Sequence, residues 1–306
     1  MENISVVSLI ERIPDEASAY KFLEDMRWGD TPVCPHCASE NVVFLVPKNG
    51  KTRTTRTGAD SARRVWQCRE KACRKQFSVL TGTVFHGSKI PVRIWVFIVF
   101  EMVSAKNGIS AREIERKYGL TPKSAWFAAH RVREAMRQGP LAGLLTGEVE
   151  SDETWIGPRQ RNVHKNHFAN KVPVLTLIDR QSGEARSRVM TEVTANSLAS
   201  ALRDEIHPDA VLMTDGLLAY RNAGRTFSEH HVVNHSVGEY AKTTRNGRRA
   251  GVNHAEGFFG QLKGSIDGTF HHVSLEHLPR YLDEFDYRYS TRKLVLRVSA
   301  GFEGGE

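Results

Sequence analysis

The chain has 306 residues, a formal charge of +8 and a pI near 9.4, with 25% of residues charged and 40% hydrophobic. That length exceeds one average core, the composition is that of a soluble multi-domain protein, and the basic balance points to a polyanionic partner such as nucleic acid. The longest apolar run, "IWVFIVF" at 94–100, is far short of the ~18 residues that span a bilayer, and "MENISVVSLIERIPDE" carries acids where a secretory leader is basic. A cytoplasmic protein with no membrane partner is expected.

Taken in chain order, residues 1–30 read as a helical segment. The cysteines then come as two pairs, Cys34 and Cys37 in "CPHC" and Cys68 and Cys73 in "CREKAC". In a reducing compartment, paired thiolates a hairpin's length apart suit structural tetrahedral Zn²⁺ better than disulfides, and a zinc ribbon is expected over 31–82. Four thiolates close the metal shell, so His36 stays outside it. Between the pairs, "PKNGKTRTTRTGADSARR" sets six basic residues against the single acid Asp60. Its Lys51, Arg53 and Arg56 are candidate contacts to DNA phosphates, which counterion release favours without any reading of sequence. A solvated loop is the alternative.

A buried helix is expected in "PVRIWVFIVFEMVSAKNG". Next, Ser110 and Glu113 form a capping box, Gly119 stops that helix, and Thr121 caps another with Pro122 at its first position. A short helix, a glycine turn and a second helix is helix-turn-helix geometry, expected within 90–140. Lys123, Ser124, Phe127, His130 and Arg131 are its candidate groove-facing residues. Many helical hairpins bind nothing, so this reading leans on the neighbouring ribbon and basic loop.

The grammar changes at "GEVESDETWIG". Strand alternation places Glu148, Glu150 and Asp152 on one face. "VPVLTLID" and "EARSRVM" read as second and third strands, "ANSLASALRDEI" as a helix, "DAVLMTDG" as a fourth strand ending in Asp215, and "EHHVVN" as a weaker fifth. Three antiparallel strands, a helix and a parallel strand ending in an acid describe an RNase H-like sheet, expected over 145–295. There the fourth strand lies beside the first, so Asp152 and Asp215 meet and repel unless a divalent cation bridges them. On "VNHAEGFFGQLKGSIDG", read as a helix, Glu256, Gly260 and Lys263 share a face. Glu256 would complete a metal shell and Lys263 would hold the strand being cut, with a side-chain-free glycine between them. An amphipathic helix with solvated Glu and Lys is the plainer alternative. Glu150 is read as raising the local negative field rather than as a fourth ligand, and the histidines of "HHVVNHS" and "FHHVS" as surface or DNA-contacting groups. Within "KTTRNGRR", a loop at 242–249, Lys242, Arg245, Arg248 and Arg249 are candidate contacts to flanking DNA.

The ordered set "CPHC", "QCREKACRKQFSVLTGTVFHGSKIP", "SAWFAAHRVREAM", "VESDETWIG", "TDGLLAY", "VNHSVGEY", "AEGFFGQLKGSIDGTFHHVS" and "LPRYLDEFDYRYSTR" resembles the IS1595-type, or ISXO-like, family of bacterial insertion-sequence transposases, over about 20–295. The resemblance implies a zinc ribbon followed by an RNase H-like catalytic domain of the retroviral-integrase superfamily. It implies a DDE triad of Asp152, Asp215 and Glu256 with Lys263 as the associated basic residue, Mg²⁺ or Mn²⁺ at the acids, and double-stranded DNA bound by a homo-oligomer, nucleoid-associated when on DNA. Where relatives often carry Thr-Asn ahead of the third acid, this chain has Val252-Asn253, and Asn253 stays open as a ligand beside Glu256. Two rivals remain on the sequence alone. One is a zinc-ribbon and helix-turn-helix regulator with an inactive sheet, the other a nuclease that cuts without joining.

Overall fold

The structure, a computed structural model, describes residues 5–46, 53–54, 60–137, 143–158, 170–234, 241–245 and 247–292. The chain divides into two units, one made of 1–105, 111–135 and 294–306, the other of 106–110 and 136–293.

The first unit begins with α1 (Val6–Arg12), capped by Ser5, and α2 (Glu16–Trp28), capped by Asp15 through the Ser18 N–H at 2.8 Å. β1 (Val42–Phe44), β4 (Trp66–Cys68) and β5 (Gln76–Phe77) make an antiparallel sheet in the order β1-β4-β5. Within the basic segment, β2 (Arg53–Thr54) pairs with β3 (Asp60–Ser61). Buried Glu24 of α2 accepts from Arg64 Nε at 2.6 Å and Trp66 Nε1 at 2.8 Å, which fastens the ribbon to the helix. α3 (Val92–Ser104) buries Trp95, Val96, Ile98, Val99, Met102 and Val103, as its unbroken apolar run predicts. Pro91 at its N-cap offers no side-chain acceptor. Glu16 supplies one from α2, accepting from the N–H groups of Val92 (2.6 Å) and Arg93 (3.0 Å). α4 (Ala111–Tyr118) ends where Gly119 takes φ +62°, and α5 (Pro122–Met136) starts with Thr121 Oγ1 accepting from the Ser124 N–H.

The second unit is built on β6 (Glu148–Ile156), β7 (Val172–Asp179) and β8 (Ala185–Val189), then α6 (Ala195–Glu205), β9 (Val211–Thr214), α7 (Tyr220–Ala223) and β10 (Glu229–Val232). After them come β11 (Ala241–Thr243), β12 (Arg249–Gly251), α8 (Asn253–Ser265) and α9 (Leu278–Ser290). The mixed sheet runs β10-β9-β6-β7-β8: β7 is antiparallel to both of its neighbours, β6 and β8, whereas β9 is parallel to β6 and β10 to β9. On one face Val149, Leu175 and Leu177 pack with Leu198, Leu202, Tyr220 and Phe227. On the other, Ile156, Val174 and Ile178 pack with Phe258, Leu262, Leu282 and Phe285. β7 is therefore covered on both sides, which is why it reads as a near-continuous apolar run. One expectation changes here. The basic run at 242–249 is not a plain loop: it spans a hairpin with Lys242 opposite Ala250 and Thr243 opposite Arg249, and Gly247 at φ +75° lies in its turn.

Candidate active site

β6 sets the site through its register. Ser151 pairs with Thr214 of parallel β9, so Asp152 and Asp215 each follow directly on the last paired positions of the two strands. Alternation sends Glu150 and Asp152 toward the face covered by α8 and α9, and Ser151 and Glu153 toward α7. Asp215 sits just past the last residue of β9, its carboxylate held in a turn by the Leu217 N–H at 3.0 Å. The third acid comes from the first turn of α8, where Glu256 is exposed along with Gly257, Gly260, Lys263 and Gly264, while Ala255, Phe258, Phe259 and Leu262 turn into the core.

The charges of these groups act on one another. Burial pushes the Asp152 carboxyl up to about 7. Repulsion from Glu153, Asp215 and Glu256 adds to this, and an N–H from Glu153 at 2.8 Å opposes it. Burial lowers the Lys263 ammonium, with Lys171 adding and Asp152 opposing, so Lys263 also feels the charge at Asp152. Asp152 thus feels Asp215, Glu256 and Lys263, but among the described residues the four cysteines are the one group of three or more ligating side chains whose ligand atoms lie within 4.8 Å of one another, so the three acids are not drawn in to that spacing. A Cβ built on Gly257, Gly260 or Gly264 meets nothing within 4 Å, so the helix face from Glu256 to Lys263 is open and smooth.

Sequence reasoning missed one partner of the site. Tyr220, buried on α7, donates to Glu153 Oε2 at 2.6 Å and accepts from Ser151 Oγ at 3.2 Å. Burial raises Glu153 to about 7, the Tyr220 hydroxyl opposes this, and repulsion from Asp215 adds to it. The available signal was the alternation itself, which puts Glu153 on the face opposite Asp152, with Tyr220 four residues beyond Gly216 to meet it. Of the histidines, His230 is no surface group: it is half-buried with Nε2 2.9 Å from Thr214 Oγ1.

Oxygen donors from three carboxylates whose charges repel suit a hard divalent cation, because the ion relieves the repulsion that raises Asp152. The cysteines make a separate centre in the first unit. The Sγ atoms of Cys34, Cys37, Cys68 and Cys73 all lie within 4.8 Å of one another, with Cys34–Cys73 at 3.9 Å and Cys37–Cys68 at 3.6 Å. A tetrahedron with Zn–S bonds of ~2.3 Å has edges of ~3.8 Å, so the set fits Zn²⁺. Each pair is followed by a left-handed residue, Ala38 at φ +57° and Arg74 at φ +51°, which turns both knuckles alike despite the longer second spacing.

The nucleic-acid candidates divide. Lys123 and Phe127 are exposed on α5, and Ser124 serves its N-terminal cap. Arg131 stacks on Phe127 at 5.1 Å and directs both guanidinium nitrogens at the His86 carbonyl, 3.0 Å each. His130 is a correction: it is 4% exposed, packed against Trp126 with ring centroids 4.0 Å apart, and cannot face a groove. Trp126, one helical turn earlier on the same face, is 42% exposed. On the β11–β12 hairpin Arg245 and Arg249 are exposed, whereas Lys242 donates to the Val232 carbonyl and Arg248 pairs with Glu229 at 3.1 Å. Lys51 and Arg56 lie outside the described residues, and of Arg53 the backbone alone is described.

Two family profiles match. Residues 144–290 match the ISXO2-like transposase domain, and residues 14–76 match the transposase zinc-ribbon domain. The chain belongs to the IS1595-type, ISXO2-like transposase family. A protein in transposable element ISH50 of Halobacterium salinarum, described as uncharacterized, is 25% identical over 248 residues, 76% of this chain and 78% of its own. Among solved structures, a chain of the simian T-cell lymphotropic virus intasome in complex with PP2A regulatory subunit B56 gamma aligns over 62% of this chain and 64% of its own. The identity is 11% and the TM-score 0.29, an overlap too shallow to bear on the fold. In this family member the four acidic and basic candidates, Asp152, Asp215, Glu256 and Lys263, all fall inside the matched transposase domain, and the four cysteines inside the matched ribbon.

Proposed function

We propose that the protein is a DDE transposase that binds the inverted-repeat ends of an insertion sequence, cuts the DNA there with divalent metal, and joins the freed ends to target DNA. What supports this reading is the β6–β9 register, which ends at Ser151 and Thr214 just before Asp152 and Asp215, together with the repulsion that Asp152 feels from Asp215 and Glu256. An RNase H-like architecture is part of the reading, supported by the order β10-β9-β6-β7-β8 with helices on both faces. Asp152, Asp215 and Glu256 would hold Mg²⁺ or Mn²⁺, which supplies a Lewis acid at the phosphoryl oxygens and a water of lowered pKa. Lys263 would bind the phosphodiester, and the glycine face of α8 would let the backbone come close. Asp215, fixed by its turn, needs little reorganisation on loading. Exposed Lys123, Phe127, Arg245 and Arg249 are the DNA contacts of this reading. Joining two element ends requires two such sites, hence a homo-oligomer on double-stranded DNA in the bacterial cytoplasm.

Labelled element ends incubated with Mg²⁺ and a target plasmid separate this reading from its rivals. A transposase gives both cut and joined products, a nuclease gives cut products alone, and a regulator gives neither. Asp152→Asn and Asp215→Asn should each abolish chemistry and leave end binding intact. Cutting that persists in both variants would remove the site.

A further inference from the structure

Glu150 shares a strand face with Asp152 and lies two residues before it, yet its surroundings are not those of a metal ligand. It is fully buried. Oε2 accepts from the N–H groups of His254 at 2.8 Å and Ala255 at 3.1 Å, and Oε1 accepts from Arg180 Nε at 2.6 Å and from His254 Nδ1 at 2.8 Å. Four donors on two oxygens leave no lone pair turned toward a cation. What the carboxylate does grip is the start of the helix that carries Glu256. α8 opens at Val252, which has no side-chain acceptor for the orphan N–H groups of the first turn, and Glu150 provides one from the strand. Arg180, just past β7, continues the tie: it also donates to the carbonyls of Gly251, at 3.2 Å, and Arg249, both in β12, the strand that leads into α8.

We infer that Glu150, backed by Arg180, is a positioning residue that sets Glu256 at a fixed distance from Asp152 and so preforms the divalent-metal site, an inference that rests on reading those acids as the metal ligands. Glu256 is one residue beyond Ala255, and Asp152 is two beyond Glu150 on the same face. The connection between the two acids across the site is therefore a short chain of rigid backbone closed by hydrogen bonds. A slip or rotation of the first turn of α8 would move Glu256 before anything else in the helix. Outer partners of this sort typically change metal affinity by ~10–100-fold when removed.

The test uses the full-length, zinc-loaded protein and Mn²⁺, counted directly by the loss of the free-ion electron paramagnetic resonance signal, with end cleavage followed in parallel. Glu150→Gln keeps the side-chain shape and replaces one acceptor by an amide that cannot accept from both sides. It should weaken Mn²⁺ binding by about 10–100-fold, and raise the Mn²⁺ needed for half-maximal cleavage to match. DNA-end affinity should not change. The decisive comparison is made in the Glu256→Gln background, where adding Glu150→Gln should cause no further loss of Mn²⁺ affinity, since a residue acting through Glu256 has nothing left to position. Independent, multiplying losses would show instead a general weakening of the fold and would overturn the inference. If Glu150→Gln does not fold, Arg180→Lys, which retains the charge and loses the fork, replaces it in the same comparison with the same two outcomes. Asp152→Asn separates this inference from the functional reading beneath it. Mn²⁺ binding that survives Asp152→Asn sinks the metal site itself, whereas binding lost in Asp152→Asn and unchanged in Glu150→Gln sinks the positioning role alone.

Discussion

Gly260 stands midway between Glu256 and Lys263 on the exposed face of a helix, a place where glycine is a poor choice for folding. In a helix interior it is less stable than alanine by about 1 kcal/mol, because it loses more backbone entropy on ordering. Elsewhere such a glycine is often kept because a neighbour presses against it. Here a Cβ would find nothing within 4 Å, so no clash offsets the gain. Gly260→Ala should therefore stabilise the protein by about 1 kcal/mol, which for a unit of this size raises its melting temperature by roughly 2–4 °C. The same methyl group would stand between Glu256 and Lys263, where the proposed function brings a phosphodiester. A displacement of the reacting group by ~1 Å is enough to slow a positioned reaction by about 100-fold. The expected result is opposite signs in two assays: higher melting temperature by scanning fluorimetry, and slower cleavage of labelled ends. Gly260→Leu should abolish cleavage in a protein that still folds. Gly268→Ala is the control, equally open but beyond Lys263, and should leave cleavage unchanged. Wild-type cleavage by a stabilised Gly260→Ala protein would refute the idea that DNA meets this face, and a lower melting temperature would refute the open geometry.

Three further outcomes follow from the rest of the molecule. Cys68→Ser, or zinc removal by a strong chelator, should unfold the ribbon while the second unit keeps its own unfolding transition, read as two separate transitions by calorimetry. Asp286 is buried on α9, accepts from the Ser187 N–H at 2.6 Å and Oγ at 2.7 Å, and is pushed by burial up to about 7, against those two bonds and with Asp283 and Glu205 adding. Because the folded state holds this proton more tightly than the unfolded chain, stability from this group is complete below about pH 4 and is lost as pH rises toward 7, by up to about 4 kcal/mol; Asp286→Asn should flatten the dependence of urea midpoint on pH over that window. Tyr220→Phe removes the donor to half-buried Glu153 and should cost about 1–3 kcal/mol by urea titration, with little loss of apolar packing.

The strands and helices of the second unit were readable because their burial is regular. β7 is covered on both faces and reads as continuous apolar sequence, and α8 shows Ala255, Phe258, Phe259 and Leu262 at helical intervals. Asp152 and Asp215 were readable for a related reason, since the parallel register of β6 and β9 ends at Ser151 and Thr214, just before the two acids. The surface was less readable. His130 sits at a spacing that Phe127 shares with the exposed side, yet α5 buries Ala125, Ala128, Ala129 and Val132, and the helix turns its histidine in with them. Basic residues were the least readable, because a positive charge in sequence says nothing about whether its partner is DNA or the protein's own carbonyls. Lys242 and Arg131 both end on backbone oxygens.

Glu150 shows why a run of acids is ambiguous until the donors around it are known. Alternation puts it on the same face as Asp152, so the sequence allows a ligand, a source of negative field, or neither. The difference lies in what approaches each oxygen. Asp152 receives one backbone N–H from Glu153, and burial, with repulsion from Glu153, Asp215 and Glu256 adding, leaves it raised. Glu150 receives four donors and is satisfied without one. Those donors come from residues 30 and 104–105 positions away, so no local pattern announces them. What does leave a trace is the helix end that needs them. Val252 before α8 and Pro91 before α3 are both poor caps, and in both cases a distant glutamate, Glu150 or Glu16, accepts from two N–H groups of the first turn. A helix that begins without Ser, Thr, Asp or Asn, in a chain with an acid on an otherwise buried strand, is thus a sequence-level hint that the acid is structural. By that criterion Glu150 belongs to the frame of the second unit, and Asp152 remains the acid for which the proposed function has a use.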